Sequence, residues 1–283
     1  FALSNLHTEK MEYLVARTSA PSCYPRRTFV AHKASWDTVG VDYDPAEYTA
    51  PIVYENAEDV PSGCKWADVR EPDVKVLGKR KSFANGSEGT LSDVAKYDAK
   101  RGRFRNPGGP VGLSGRGLLG RFGPNYAADP IVTRMRRGKL QVVLVRRKDV
   151  DELAFPGGMV NPGETVSKTL KNEFCEEACR PGGAVDKLFT ECSRGIVYQG
   201  IVDDPRTTDH AWIETTAVHF HAPEELAEQL DLVVSDKDEI SDVAWYDVDS
   251  VGALYASHKT WLDRVRMRLE IPKKGAAYPF ARR

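Results

Sequence analysis

Gly158-Met-Val-Asn-Pro-Gly163-Glu164-Thr-Val-Ser-Lys-Thr-Leu-Lys-Asn172-Glu173-Phe174-Cys175-Glu176-Glu177-Ala178-Cys179 is the stretch on which the reading of this chain turns. Val166, Leu170, Phe174 and Ala178 recur at every fourth residue, which predicts a helix over 165–178 with one apolar stripe. Glu173, Glu176 and Glu177 stand at i, i+3 and i+4, so they share an arc of roughly 100° on that helix. Like charges at this spacing repel, and near a helix C-terminus the backbone dipole disfavours them further. A sequence that accepts both penalties calls for a compensating cation. Carboxylates combined with phosphate oxygens suit a hard divalent ion such as magnesium. Because the acidic arc borders the apolar stripe, the carboxylates are expected at the rim where the helix meets a sheet. Gly157, Gly158 and Gly163 flank the helix, where glycine permits close backbone approach to a ligand and N–H groups can meet phosphate oxygens.

Outward from this motif, strands are predicted over 131–136 and 140–147 around an Arg137-Gly138 turn, with a brief strand over 153–155. Further strands are predicted over 195–202, 211–220 and 243–248. A short helix over 224–230 opens at Pro223, and another covers 257–269. Strands and helices mixed in this order imply an α/β fold with a mixed sheet covered by helices on both faces. Residues 1–125 differ. They carry many breakers, including the Gly-rich run 106–125, and predict a smaller, loop-rich α+β domain ahead of a larger domain over 126–283.

The balance of 40 Lys and Arg against 41 Asp and Glu gives no broad basic face, so nucleic acid is not an expected partner. No apolar run approaches the roughly 20 residues a membrane span needs, so direct insertion is not expected either. The five cysteines form no C-x-x-C pair and fit a reducing compartment. Cys175 and Cys179 read as small packing residues. His219 and His221 alternate along one strand without an evident third metal ligand and read as structural. Trp212 and Trp245 read as core, and Arg116 and Arg121 as solvated or cleft cations.

The motif resembles the Nudix box: Gly, five residues, Glu, seven residues, Arg-Glu-apolar-any-Glu-Glu, any, Gly. Gly158, Glu164, Glu173, Phe174, Glu176 and Glu177 occupy matching positions, whereas Asn172 stands for the Arg and Cys179 for the late Gly. The resemblance implies a Nudix α/β/α sandwich in which Glu173 and Glu177 are the main metal ligands. It makes Glu176 a helper or general base, and Glu164 the residue that steadies the loop and helix. Magnesium is the implied cofactor, with manganese as a substitute. Without the Arg, the rate is expected to be reduced and metal binding kept.

Beyond the box the chain resembles ADP-ribose diphosphatases. It does so through Arg105-Asn-Pro, Gly115-Arg-Gly-Leu-Leu-Gly-Arg-Phe-Gly-Pro-Asn125, Ala127-Ala-Asp-Pro130, Pro156-Gly-Gly-Met159, Asp203-Asp-Pro-Arg206, Thr208-Asp209, Ala211-Trp-Ile-Glu-Thr215 and Leu254-Tyr-Ala-Ser-His258. The resemblance extends to the cytosolic C-terminal domain of ADP-ribose-gated melastatin-type TRP channels, with Tyr43-Asp-Pro-Ala-Glu-Tyr-Thr-Ala50 and His258-Lys-Thr260 closer to the channel version. It implies ADP-ribose contacts from Asn125, Gly158, Met159, Asp204, Arg206, Tyr255, Ser257 and His258. For Asp204 and Arg206 a loop ion pair is an equal reading.

Two functions follow from the resemblance. One is hydrolysis of ADP-ribose to AMP and ribose 5-phosphate. The other is a slow or inactive ADP-ribose sensor within a tetrameric channel, with other channel domains or subunits as partners. The implied location is cytosolic for a channel domain, and cytosolic or mitochondrial for a free enzyme. The opening Phe1-Ala-Leu and the basic tail with Lys273, Lys274, Arg282 and Arg283 favour the channel origin as an expectation.

Overall fold

The computed structural model describes residues 13–31 and 33–269, so the basic tail lies outside the described residues. The chain divides into two compact units. One comprises the chain up to Ala127 together with Met159–Thr165 and Gln199–Thr216. The other comprises Ala128–Gly158, Val166–Tyr198 and residues 217 onward.

A single sheet is built from β1 (Gly123–Arg136), β2 (Lys139–Arg147), β3 (Leu153–Ala154), β4 (Gly158–Met159), β5 (Ser193–Ile201), β6 (Ala211–Ala222) and β7 (Ile240–Asp247). Its path is β5-β6-β1-β2-β7, with β4 on β1 and β3 on β2. Strands β1 and β2 pair antiparallel from Thr133↔Val142 to Arg136↔Lys139. Arg137 and Gly138 close this hairpin with φ of 50° and 74°, and two residues at positive φ match the right-handed twist of the flanking strands. Val142, Val143, Leu144 and Val145 are all buried, which accounts for their unbroken apolar run: a central strand is covered on both faces.

Helix α1 (Val166–Glu177) presents Leu170 and Phe174 to the interior, with Ala178 buried just beyond its end, as the stripe predicts, while Val166 is half-buried. Helix α2 (Gly183–Glu191) is not among the predicted helices. Its Val185, Leu188 and Phe189 are buried, and Phe189 joins Phe174 of α1 (ring centroids 5.7 Å) to Phe220 of β6 (4.6 Å). Helix α3 (Glu224–Ala227) is shorter than predicted, and α4 (His258–Arg268) buries Trp261, Leu262 and Val265. Trp245 is only half-buried, with the Arg134 guanidinium 4.2 Å over its ring, so the expectation of a core tryptophan is corrected there.

The first unit has short elements around a core that includes Tyr13, Leu77, Leu91, Phe104, Val111, Phe122, Ile201 and Trp212. Long-range polar bonds secure them. Asp68 takes a two-pronged pair from Arg80 (2.9 and 2.8 Å) and the N–H of Phe122 (2.9 Å). Buried Glu214 accepts from Ser82, the N–H of Phe83 and the Trp212 indole. Arg116, expected as a solvated or cleft cation, is fully buried instead. It donates to the carbonyls of Asp68 (2.6 Å) and Gly120 (2.9 Å) beneath the rings of Tyr54 and Phe122. It therefore works as a cross-tie between backbone segments.

Candidate active site

Helix α1 carries the three carboxylates of the motif. Glu177 is 6% exposed and accepts the N–H of Gly157 (3.0 Å), Glu173 is half-buried and Glu176 exposed. Burial pushes Glu173 up to about 8, aided by repulsion from Glu177, Glu176, Asp129 and Glu239. Burial likewise pushes Glu177 up to about 7, while the Gly157 hydrogen bond and Arg147 pull it down and Glu239 and Asp129 raise it. In the protein alone both carboxyls are harder to ionise than a free glutamate.

The backbone opposite is shaped to the carboxylates. A Cβ on Gly158 would fall 2.5–2.6 Å from the Glu173 carboxylate, and one on Gly157 would fall 2.3 Å from Asp129 Oδ1. Glycine at both positions lets the backbone pass against these acids. Among the described residues, no three His, Cys, Asp or Glu side chains already enclose an ion. The fit to a divalent cation rests on donor chemistry. Hard carboxylate oxygens cluster here, and repulsion among them raises both Glu173 and Glu177, which a bound divalent charge would relieve. Beside Glu176 opens a cavity of about 470 Å³ lined also by Ser235, Asp236, Lys237 and Asp238.

The glycine loop is held by the segment that opens α4. His258 Nδ1 accepts the N–H of Phe155 (3.0 Å), so its proton lies on Nε2, and Tyr255 N–H donates to the Leu153 carbonyl (2.9 Å). The His258 ring packs against both Phe155 (5.1 Å) and Trp261 (4.8 Å), which also face each other at 6.5 Å, and burial pushes its pKa down to about 3. It is a neutral, structurally committed histidine. Tyr255 meets His258 edge-on and lies under the Arg147 guanidinium at 4.9 Å. Ser257 caps α4 through its carbonyl, not its hydroxyl.

The remaining predicted residues belong to the first unit. Asn125 is 4% exposed and is tied to backbone: its amide donates to the carbonyls of Arg121, Gly123 and Trp212, and its oxygen accepts the N–H of Arg121. Met159 packs on Leu119, Ala211 and Ile213. Glu164 closes a turn with Asn161, whose amide is 3.4 Å from its carboxylate. Asp204 and Arg206 form a two-pronged ion pair with both contacts at 2.8 Å, with Asp204 buried and 40% of the Arg206 side chain exposed. Two strings that carry the resemblance meet inside this unit. Asn106 donates to the Thr208 carbonyl (3.1 Å) and accepts from Tyr13, while Asp209 accepts from Tyr43 (2.6 Å) and the N–H of Val111.

In the second unit Thr133 Oγ1 links His219 Nε2 (2.7 Å) and His221 Nδ1 (2.9 Å), which gives the histidine pair a structural partner. Cys175 and Cys179 are free thiols, half-buried and buried. Three charged residues of the site have no clear signal in the sequence: Asp129, Glu239 and Arg147. Asp129 lies within the string Ala127-Ala-Asp-Pro130, but nothing in its spacing separates it from its neighbours. Glu239 ends the charged run 236–239 ahead of β7, a pattern that reads as a solvated turn.

A NUDIX domain match covers residues 125–267, and a match to the NUDT9-like N-terminal domain covers 30–123. The mitochondrial ADP-ribose pyrophosphatase of Rattus norvegicus is 40% identical over 277 residues, covering 88% of this chain and 76% of the rat protein. The transient receptor potential cation channel subfamily M member-like 2 of Nematostella vectensis is 38% identical over 259 residues, covering 81% of this chain and 16% of the channel's length. Among solved structures, the NUDIX domain of Shewanella oneidensis NrtR, crystallised with ADP ribose, is 16% identical with a TM-score of 0.41, covering 52% of this chain and 88% of that one.

Proposed function

The chain belongs to the Nudix family, and on that premise we propose that it is a magnesium-dependent hydrolase that cleaves ADP-ribose to AMP and ribose 5-phosphate. The observation that carries the reading is the pair of carboxyls, half-buried Glu173 and buried Glu177, both pushed up by burial and by neighbouring acids against the Gly157-Gly158 backbone. Glu173 and Glu177 would hold the ion. A divalent cation there supplies charge neutralisation for the diphosphate and a more acidic water.

The chain's own residues do the rest. Gly157 N–H fixes one Glu177 oxygen, and His258 fixes the Phe155 backbone that leads into the glycines. Exposed Glu176 is the group we assign to accept the proton of the attacking water. Water adds to one phosphorus, the bridging oxygen leaves with the other phosphate, and one proton is released to solvent. Arg206, oriented by Asp204, is assigned to phosphate or ribose oxygens.

Substrate choice rests on the 40% identity to the rat ADP-ribose pyrophosphatase. A second reading, a regulatory module in which binding matters more than turnover, draws on the 38% identity to the channel protein and on Asn172 in place of the motif's Arg. Product analysis separates the two. Incubation of ADP-ribose, NAD and nucleoside triphosphates with the protein and magnesium should give AMP and ribose 5-phosphate from ADP-ribose fastest, with none in EDTA. Binding without turnover would leave the sensor reading, and faster cleavage of a triphosphate would overturn the substrate.

A further inference from the structure

Three consecutive carbonyls of the Asp203–Thr207 loop are held by two side chains of one distant segment. Arg27 donates through one terminal nitrogen to the carbonyls of Pro205 (2.7 Å) and Thr207 (2.9 Å). Tyr24 Oη donates to the carbonyl between them, that of Arg206 (2.9 Å), and accepts the N–H of Leu118 (2.7 Å). The Arg27 guanidinium lies over the Tyr24 ring at 5.5 Å. A Cβ at residue 117 would fall 2.0 Å from Tyr24 Oη, and Gly117 has φ of 59°, so glycine is required where the phenol passes. At the start of the same loop the Asp203 carboxylate accepts the N–H groups of Leu14, Val15 and Ala16 at 2.7–2.8 Å.

Loops between strands are ordinarily the mobile part of a fold. This one is tied down at Asp203, Pro205, Arg206 and Thr207 by side chains and N–H groups from residues 14–27. Arg27 does so against a desolvation penalty. It donates to neutral carbonyls, including that of Val111 at 3.3 Å, its Nε is buried without a partner, and burial lowers its pKa. A cation committed to backbone carbonyls on either side fixes the residue whose carbonyl lies between them, Arg206. The Arg206 N–H is fixed as well, by Asp204 at 2.8 Å. Its guanidinium is thus presented from a backbone clamped on both sides.

We propose that Tyr24 and Arg27 are positioning residues for Arg206, and that through them the segment 14–27 sets the affinity for the diphosphate substrate. The proposal rests on the reading that Arg206 contacts ADP-ribose. Its test uses the full chain with ADP-ribose and magnesium. Arg27→Met and Tyr24→Phe should each raise KM by about three- to tenfold, the equivalent of one hydrogen bond lost between Arg206 and the substrate, with kcat little changed. Arg27→Lys should recover part of the loss. Arg206→Ala should raise KM further, and Arg27→Met combined with Arg206→Ala should be no worse than Arg206→Ala alone, because the clamp acts through Arg206.

If Arg206→Ala raises KM while Tyr24→Phe and Arg27→Met leave it at the wild-type value, the clamp proposal is overturned and the loop reading stands. If Arg206→Ala itself leaves KM unchanged, the loop reading falls and the proposal with it. Multiplicative losses in the double variant would also overturn it, since the clamp would then act elsewhere. Should Arg27→Met fail to fold, Tyr24→Phe removes a single oxygen, keeps the ring and carries the test.

Discussion

Glu177→Gln should make the metal-free protein more stable and the metal-loaded protein far less active. Glu177 is 6% exposed and its carboxyl is pushed from 4.5 to about 7 by burial. The folded state therefore holds this proton more tightly than the unfolded chain, so stability falls as pH rises from about 4.5 towards 7. By pH 8 ionisation of this side chain has destabilised the fold by on the order of 3 kcal/mol, since each pH unit between the two values is worth about 1.4 kcal/mol. Glutamine keeps an oxygen for the Gly157 N–H and carries no charge, and its substitution also removes the repulsion that helps raise Glu173.

Thermal unfolding in EDTA should show the variant more stable than wild type by roughly 1–3 kcal/mol at pH 8, a rise of a few degrees in Tm. The gap should shrink to below about 1 kcal/mol at pH 5, where wild-type Glu177 is protonated in the fold. The same variant, assayed at saturating magnesium, should lose turnover by orders of magnitude. A variant less stable than wild type at pH 8 in EDTA would falsify the electrostatic account, and so would a gap that fails to narrow at pH 5. Wild-type turnover would remove Glu177 from the ion site.

Gly158→Ala should displace the Glu173 carboxylate, which a Cβ would meet at 2.5–2.6 Å, and leave the fold intact because that side chain can move. The expected result is a higher magnesium requirement at an unchanged Tm, read from a metal titration of rate, and an unchanged requirement would refute the close approach. His258→Ala strands the Phe155 N–H and removes the ring packed against both Phe155 and Trp261, so urea unfolding should show a loss of about 2–4 kcal/mol, where a loss under about 1 kcal/mol would deny it a structural role. Asn172→Arg restores the residue the motif carries and should raise kcat with little change in KM; a slower variant would assign Asn172 a local role of its own.

The helix of the motif and the strands beside it were legible because their spacing is local. Leu170, Phe174 and Ala178 repeat at helical intervals and are buried, and the strand predicted over 140–147 is present, with Val142 to Val145 buried at its centre. Helix α2 was hidden by Pro181-Gly182-Gly183, which reads as a loop, although Val185, Leu188 and Phe189 keep the i, i+3, i+4 pattern. The acidic arc of Glu173, Glu176 and Glu177 beside the apolar stripe could be read from spacing within one helix, whereas Asp129 and Glu239 join them from other elements, and no spacing within one element encodes that. Arg116 and Asn125 show the same limit from the other side. In the sequence they look like polar residues available to a ligand. In the fold their polar atoms reach backbone carbonyls near and far along the chain, and only tertiary structure shows what they hold.

The discontinuity of the first unit bears on how the polypeptide is made. Its core needs Ile201 and Trp212, and its loop and strand ends return through Gln199–Thr216. Roughly ninety residues separate Ala127 from Thr216. At about 5–20 residues per second of synthesis, the amino-terminal portion waits some 5 to 20 seconds after emerging from the ribosome before its last core pieces arrive. Throughout that interval Leu77, Leu91 and Phe104 lack their indole cover, and Asn106 and Tyr43 lack Thr208 and Asp209. The nascent chain is therefore most exposed to misassociation and chaperone capture until residue 216 has left the ribosome.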